Sequence, residues 1–234
     1  MHLLCVSSGS DYNCRFFLYT SEMKQKIIAE LIGTFVLVVC GTGAIIVNDV
    51  SHGAVTHPGI SLVFGLVVLA LIYALGDVSG AHLNPAVSIS FVLAGRFPAR
   101  DAIYYCLAQV SGAILASLFL RCLFVEHEKL GATVPHGSWL QSFFLELFLT
   151  WFLVLVIFRV STGAKEKGIT AGIAVGSVIA LEALFAGPIS GASMNPARSL
   201  APALVSGHLS SCWVYLTATV LGGLLAIPTH RTIT

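Results

Sequence analysis

Charge is what this sequence has least of. Only 10% of its 234 residues are Asp, Glu, Lys or Arg and 56% are hydrophobic, whereas a soluble domain carries about 25% charged residues. A mean hydropathy of +0.91 excludes an ordinary water-soluble domain. Lys and Arg number 12 against 11 Asp and Glu, a net charge of +1. No basic surface is available to grip a nucleic-acid backbone, so nucleic-acid binding is excluded. The six cysteines (Cys5, Cys14, Cys40, Cys106, Cys122, Cys212) are scattered, without a CxxC pair or a His at metal-ligand spacing. No metal site and no cofactor are expected. HExxH, GxSxG, P-loop and dinucleotide fingerprints are also missing, so no catalytic residue is assigned and the chain is not read as an enzyme.

What is present is apolar runs. They cover Ile27–Val47, Gly59–Leu75, Ala102–Phe124, Trp139–Phe158, Ile169–Ala186 and Trp213–Pro228, each near the ~20 residues a helix needs to cross ~30 Å of hydrocarbon. The lipid bilayer is therefore the environment. Two further stretches, Pro85–Leu93 and Pro196–Val205, are too short to span and read as re-entrant half-helices. With both termini cytoplasmic, Lys24, Lys26, Arg96, Arg100, Arg159, Lys165, Lys167 and Arg231 lie inside and Arg121 and Lys129 outside, which satisfies the positive-inside rule. Residues 1–23 are expected to be a disordered tail, and Met23, directly before Lys24, reads as a second start.

The sequence repeats itself. Ser79-Gly-Ala-His-Leu-Asn-Pro-Ala-Val-Ser88 aligns with Ser190-Gly-Ala-Ser-Met-Asn-Pro-Ala-Arg-Ser199, seven of ten positions being identical at an offset of 111. Residues 24–130 form a first repeat of three spans and one half-helix, and 131–234 a second. Three is odd, so the second repeat enters the membrane from the opposite side and the two are inverted. The fold class is all-α membrane protein, six transmembrane helices plus two re-entrant half-helices.

Asn is a good N-cap, and Pro suits the first helical position because it lacks the N–H that would go unpaired there. Asn84-Pro85-Ala86 and Asn195-Pro196-Ala197 therefore each begin a half-helix, and inversion brings the two beginnings together near mid-membrane. Each presents about half a positive charge. Two such ends facing one point repel cations and orient a passing dipole oxygen-first. A water held by both Asn amides turns its hydrogens outward, which breaks a proton wire.

At these residues the chain resembles the major intrinsic protein family, the aquaporins and aquaglyceroporins, over about residues 24–228. The segments Ser79–Ser88 and Phe185–Ser199 are most similar to the nodulin-like branch and its bacterial relatives. The resemblance implies a homotetramer in the cell membrane, plasma or inner, with one pore per subunit, passing water and small neutral solutes passively while excluding protons and ions. It also implies a second constriction at Phe64, Ala183, Ala192 and Arg198. Arg198 brings a fixed cation with five donors. Ala183 stands where strict water channels of the family carry a bulky His, so a wider ring is expected, suited to glycerol, urea or an undissociated metalloid hydroxide. Ser199 and Ala203 argue the other way, matching the water-type pattern of the family, but sterics at the narrowest point carry more weight.

Glu30 and Glu146 occupy matching places in the first helices of the two repeats. A carboxylate in hydrocarbon costs at least ~2.5 kcal/mol unless partnered, and the resemblance makes them supports of the re-entrant loops. His82, inside the first motif loop, is expected to brace it. Glu182, one residue before Ala183, either points away from the lumen or pairs with Arg198. His52, His57, His127, His136 and His208 read as solvated loop residues. A rival reading is an ion-coupled secondary transporter, which also uses inverted repeats and broken helices. It needs a titrating group at the midplane, where this chain has Asn84 and Asn195.

Overall fold

The computed structural model describes the backbone of residues 11–161 and 165–233, and side chains within 21–161 and 170–233. Among the described residues eight helices follow one another: α1 (Asp11–Val50), α2 (Thr56–Ser79), α3 (Pro85–Leu93), α4 (Ala99–Leu123), α5 (Trp139–Val160), α6 (Lys165–Ser190), α7 (Pro196–Ser206) and α8 (Cys212–Thr232). Among the described residues there is no strand. Ser21–Val50 of α1, Thr170–Ser190 of α6, and α2, α4, α5 and α8 are long and apolar enough to cross a membrane. The remaining two, α3 with nine residues and α7 with eleven, reach only about half of a ~30 Å hydrocarbon layer at 1.5 Å per residue. Helix α1 begins at Asp11, inside the stretch 1–23 expected as a tail; residues 1–10 lie outside the described residues.

Each repeat packs its first span against the other two: α1 on α2 and α4, α5 on α6 and α8. Close approach in these pairs comes from glycines at related positions. A Cβ on Gly112 would stand 3.1 Å from the Phe35 backbone nitrogen, and one on Gly222 would stand 3.0 Å from that of Trp151. Only a missing side chain lets the backbones come so near. The halves join along α2 and α6, where a Cβ on Gly65 would sit 2.5 Å from the Gly176 carbonyl oxygen. The glycines of the Gly172/Gly176 pair thus face a protein helix and not lipid. Each half-helix lies against the last span of the other repeat, α3 on α8 and α7 on α4. That exchange brings the starts of α3 and α7 to the same place.

One contact departs from expectation for a physical reason. Pro188 lies inside α6 and has no N–H to give the carbonyl four residues back. That carbonyl belongs to Leu184, and His57 Nε2 donates to it at 2.7 Å. His57, expected as a solvated loop residue, is a half-buried tie between α2 and α6.

Candidate functional site

The two half-helices start alike. Asn84 caps α3, its side-chain oxygen accepting from Ala86 N–H at 2.9 Å, with Pro85 in the first turn. Asn195 caps α7, accepting from Ala197 N–H at 3.0 Å and Arg198 N–H at 3.4 Å, followed by Pro196. Their amide nitrogens cross. Asn84 Nδ2 donates to the Met194 carbonyl at 2.7 Å, and Asn195 Nδ2 donates to the Leu83 carbonyl at 2.9 Å. An amide nitrogen carries two hydrogens, so each Asn keeps one donor, and both residues border the same cavity.

The loops entering the half-helices are strained in matching places. Ala81 and Leu83 have φ of 47° and 52°, and Ala192 and Met194 have 42° and 54°, the left-handed region that costs non-glycine residues about 1–3 kcal/mol each. Buried carboxylates hold them there. Glu30 accepts from the backbone N–H of His82 (2.9 Å) and Leu83 (2.7 Å), from Ser79 hydroxyl (2.7 Å) and from Gln109 Nε2 (2.8 Å). Glu146 accepts from the N–H of Ser193 and Met194, both at 2.9 Å, and from Ser190 hydroxyl at 2.7 Å. In a trans peptide the carbonyl points opposite to the N–H. The carbonyls of Ala81, His82, Ala192 and Ser193 are thereby turned away from the carboxylates, and all four residues border the cavity.

That cavity has a volume of about 210 Å³ and lies wholly within one chain. One end is bordered by Phe64, Ala192 and Arg198, the middle by Asn84 and Asn195, and the other end by Val160, Ser161 and Ala171. The lining is mostly apolar (Val68, Ile72, Val175 and Ile179 among others), with the loop carbonyls as a polar stripe. Arg198 is buried. Its Nη1 donates to the Gly131 carbonyl at 2.9 Å, and its guanidinium carbon stands 5.1 Å from the centre of the Phe64 ring, close enough for cation–π attraction. Ala183 is buried one turn along α6 from Ile179. It does not border the cavity, which Ile179 does.

Residues 18–230 match the family described as Major intrinsic protein. The chain belongs to the major intrinsic protein family. Among the relatives of this major intrinsic protein, Aquaporin NIP1-1 of Zea mays is 47% identical over 214 residues, covering 91% of this chain and 76% of the maize protein. Nodulin-26 of Glycine max is 45% identical over 201 residues, 86% of this chain and 74% of its own length. In three dimensions the chain is similar to the aquaglyceroporin from Plasmodium falciparum, with a TM-score of 0.82, 26% identity and coverage of 90% of this chain and 96% of that one.

His82 Nδ1 lies 3.1 Å from Ser88 Oγ, and its ring packs among Phe91, Phe97 and Tyr105 at 4.8, 4.9 and 5.3 Å. Glu182 is fully buried, and neither of its oxygens has a hydrogen-bond partner among the described residues. It does not pair with Arg198. Sequence reasoning passed over Gly131 and Thr133, on the loop 124–138 between the repeats, and the tyrosines Tyr105 and Tyr215, whose hydroxyls donate to Ser79 and Ser190 carbonyls at 2.8 and 2.7 Å. The tyrosines were visible as a repeat at an offset of 110. Leu130-Gly131, an apolar residue and a glycine directly after the charged stretch Glu126-His127-Glu128-Lys129, was the signal for the other.

Proposed function

We propose that this chain is a passive pore for glycerol, urea and similar small neutral solutes, with water following, and that protons and ions are excluded. The chain is a channel for water and small neutral solutes, not an enzyme. The observation that carries the finer reading is the crossing of Asn84 and Asn195. Two helix N-termini and two spare amide donors converge on one cavity, and the positive field there rejects cations and fixes the orientation of a hydrogen-bonded solute.

In this reading Pro85, Ala86, Pro196 and Ala197 complete the starts of the half-helices, Glu30, Glu146 and His82 support their loops, and Phe64, Ala192 and Arg198 form the selective ring, with Ala183 set behind it where a larger side chain would narrow it. Phe64 and Ala192 provide an apolar wall opposite one guanidinium. A polyol presents a matching pair of edges, its C–H side to the wall and a hydroxyl oxygen that accepts from Arg198, and urea presents its carbonyl oxygen to the same donor. Carbonyls on one side and aliphatic side chains on the other continue that pairing toward Ser161. A coupled transporter is disfavoured because Asn84 and Asn195 do not titrate and no carboxylate borders the cavity among the described residues.

We place the chain in the plasma or inner membrane with both termini cytoplasmic, on the distribution of Lys and Arg, and as a homotetramer with a pore in each subunit. The test is stopped-flow light scattering on proteoliposomes. Water, glycerol and urea are expected to move down their gradients without saturation and independently of any proton or sodium gradient. Saturable uptake that follows such a gradient would overturn the proposal.

A further inference from the structure

The inverted repeats do not brace their two motif loops in the same way. In the first, Ser88 Oγ is bonded by His82 Nδ1 at 3.1 Å and by Gln109 Nε2 of α4 at 3.0 Å. The related positions in the second are Ser199, Ser193 and, at the offset of 110 that matches Gly112 to Gly222, Thr219 of α8. Thr219 is too short to repeat the reach of Gln109, and its hydroxyl donates instead to the Tyr215 carbonyl in its own helix. Thr133, from the loop between the repeats, takes the place and donates to Ser199 Oγ at 2.7 Å.

The direction of the remaining bonds follows from proton counting. Each hydroxyl has one proton. Ser193 spends its proton on the Asn195 carbonyl at 2.9 Å, so in the 2.5 Å Ser199–Ser193 bond Ser199 is the donor. The chain thus runs Thr133 to Ser199 to Ser193 to the carbonyl of Asn195, and all three hydroxyl residues are buried. Two residues before Thr133, Gly131 offers its carbonyl to Arg198, the neighbour of Ser199. The loop is wedged where it does so. Gly131 has φ of 69°, and a Cβ there would stand 2.8 Å from Thr42 Cβ; one on Gly191 would stand 3.0 Å from Thr133 Cγ2.

We propose that Thr133 is a positioning residue for solute selection: through Ser199 it holds the Gly131 carbonyl against Arg198 and so keeps the guanidinium on the wall of the lumen. This deepens the channel reading and rests on it. With the bond gone, the loop relaxes, Arg198 loses its acceptor and seeks oxygens across the lumen, and solutes larger than water are obstructed first. The loop is therefore part of the selectivity device of the second repeat alone.

The test compares glycerol and water permeability in proteoliposomes at equal protein content. Thr133→Val, which keeps the shape and removes the donor, is expected to lower the glycerol-to-water ratio about threefold or more, the scale of one lost hydrogen bond. Ser199→Ala is expected to do the same, the double variant to lose no more than either single one, Thr133→Ser to restore the parental ratio, and Thr219→Val to leave it unchanged. If Thr133→Val does not fold, Ser199→Ala and Thr133→Ser decide. A parental ratio in the folded removal variants, additive losses in the double, or no restoration by Thr133→Ser would overturn the inference. A parent that passes neither solute would overturn the channel reading instead.

Discussion

Gly41 offers a way to narrow the proposed ring without touching one of its residues. It lies on α1 behind Phe64, and a Cβ there would stand 2.5 Å from Phe64 Cζ and 2.6 Å from Cδ1. Carbon atoms in contact prefer ~3.5–4.0 Å. Phe64 Cε1 is closer still, so in Gly41→Ala the aromatic ring must retreat by more than about 1 Å, and the space that Phe64 borders is the lumen. Overfilling a packed site of this kind costs about 1–3 kcal/mol. If about half of the upper figure falls on the passage of a solute that needs the full ring, glycerol permeability drops about tenfold, which corresponds to about 1.4 kcal/mol. Water, with a radius of about 1.4 Å, is expected to lose less than threefold. Stopped-flow measurement of both solutes in the same vesicles reads the difference. Adding Phe64→Leu to Gly41→Ala should restore glycerol, because the shorter side chain clears the new methyl. Equal losses of water and glycerol, or no change in a properly incorporated protein, would refute the placement of Phe64 at the narrow point.

Three further outcomes follow from contacts described above. Glu146→Gln turns an amide N–H toward the N–H groups of Ser193 or Met194, and each buried donor left unmatched costs about 1–3 kcal/mol; the thermal midpoint in detergent should fall, and an unchanged midpoint would show that the carboxylate does not hold the loop. Gly222→Ala presses a methyl to 3.0 Å from the Trp151 backbone, whereas a Cβ on Gly76 meets nothing within 4 Å. Folded yield should drop for Gly222→Ala and stay at the parental level for Gly76→Ala, and equal yields would contradict the tight α5–α8 contact. No cysteine borders the lumen among the described residues, so mercurial reagents should leave the parent's flux unchanged while Ala192→Cys acquires inhibition; a sensitive parent would mean that a thiol reaches the pathway.

Much of the architecture is legible from local chemistry. The six spans, the two half-helices and the inversion follow from run lengths and from one repeated decapeptide. The half-helix boundaries were readable because Asn-Pro fixes a helix start through the backbone of adjacent residues alone. Other features depend on distant partners and left weaker marks. His57 reads as a loop histidine until Pro188, far along the chain, is seen to leave the Leu184 carbonyl in need of a donor. Ala183 is assigned to the ring by its place relative to Asn195, yet how far its methyl extends toward the lumen depends on the tilt of α6, which no spacing encodes. Glu182 was readable as a carboxylate inside an apolar run, but its failure to meet Arg198 is a matter of which way one helical face turns.

Hydrocarbon length, the odd number of spans and the capping preferences of Asn and Pro are enough to place this chain in a bilayer, in two halves of opposite sense, with paired helix starts carrying amides to the middle. How those starts are held depends on packing between distant segments. That packing crossed each Asn amide onto the carbonyl before the other, set Glu30 and Glu146 under left-handed loops, and brought Gly131 and Thr133 onto Arg198 and Ser199. Such bonds join residues far apart in the chain, and their formation depends on distances of a few tenths of an ångström that packing sets and composition does not record.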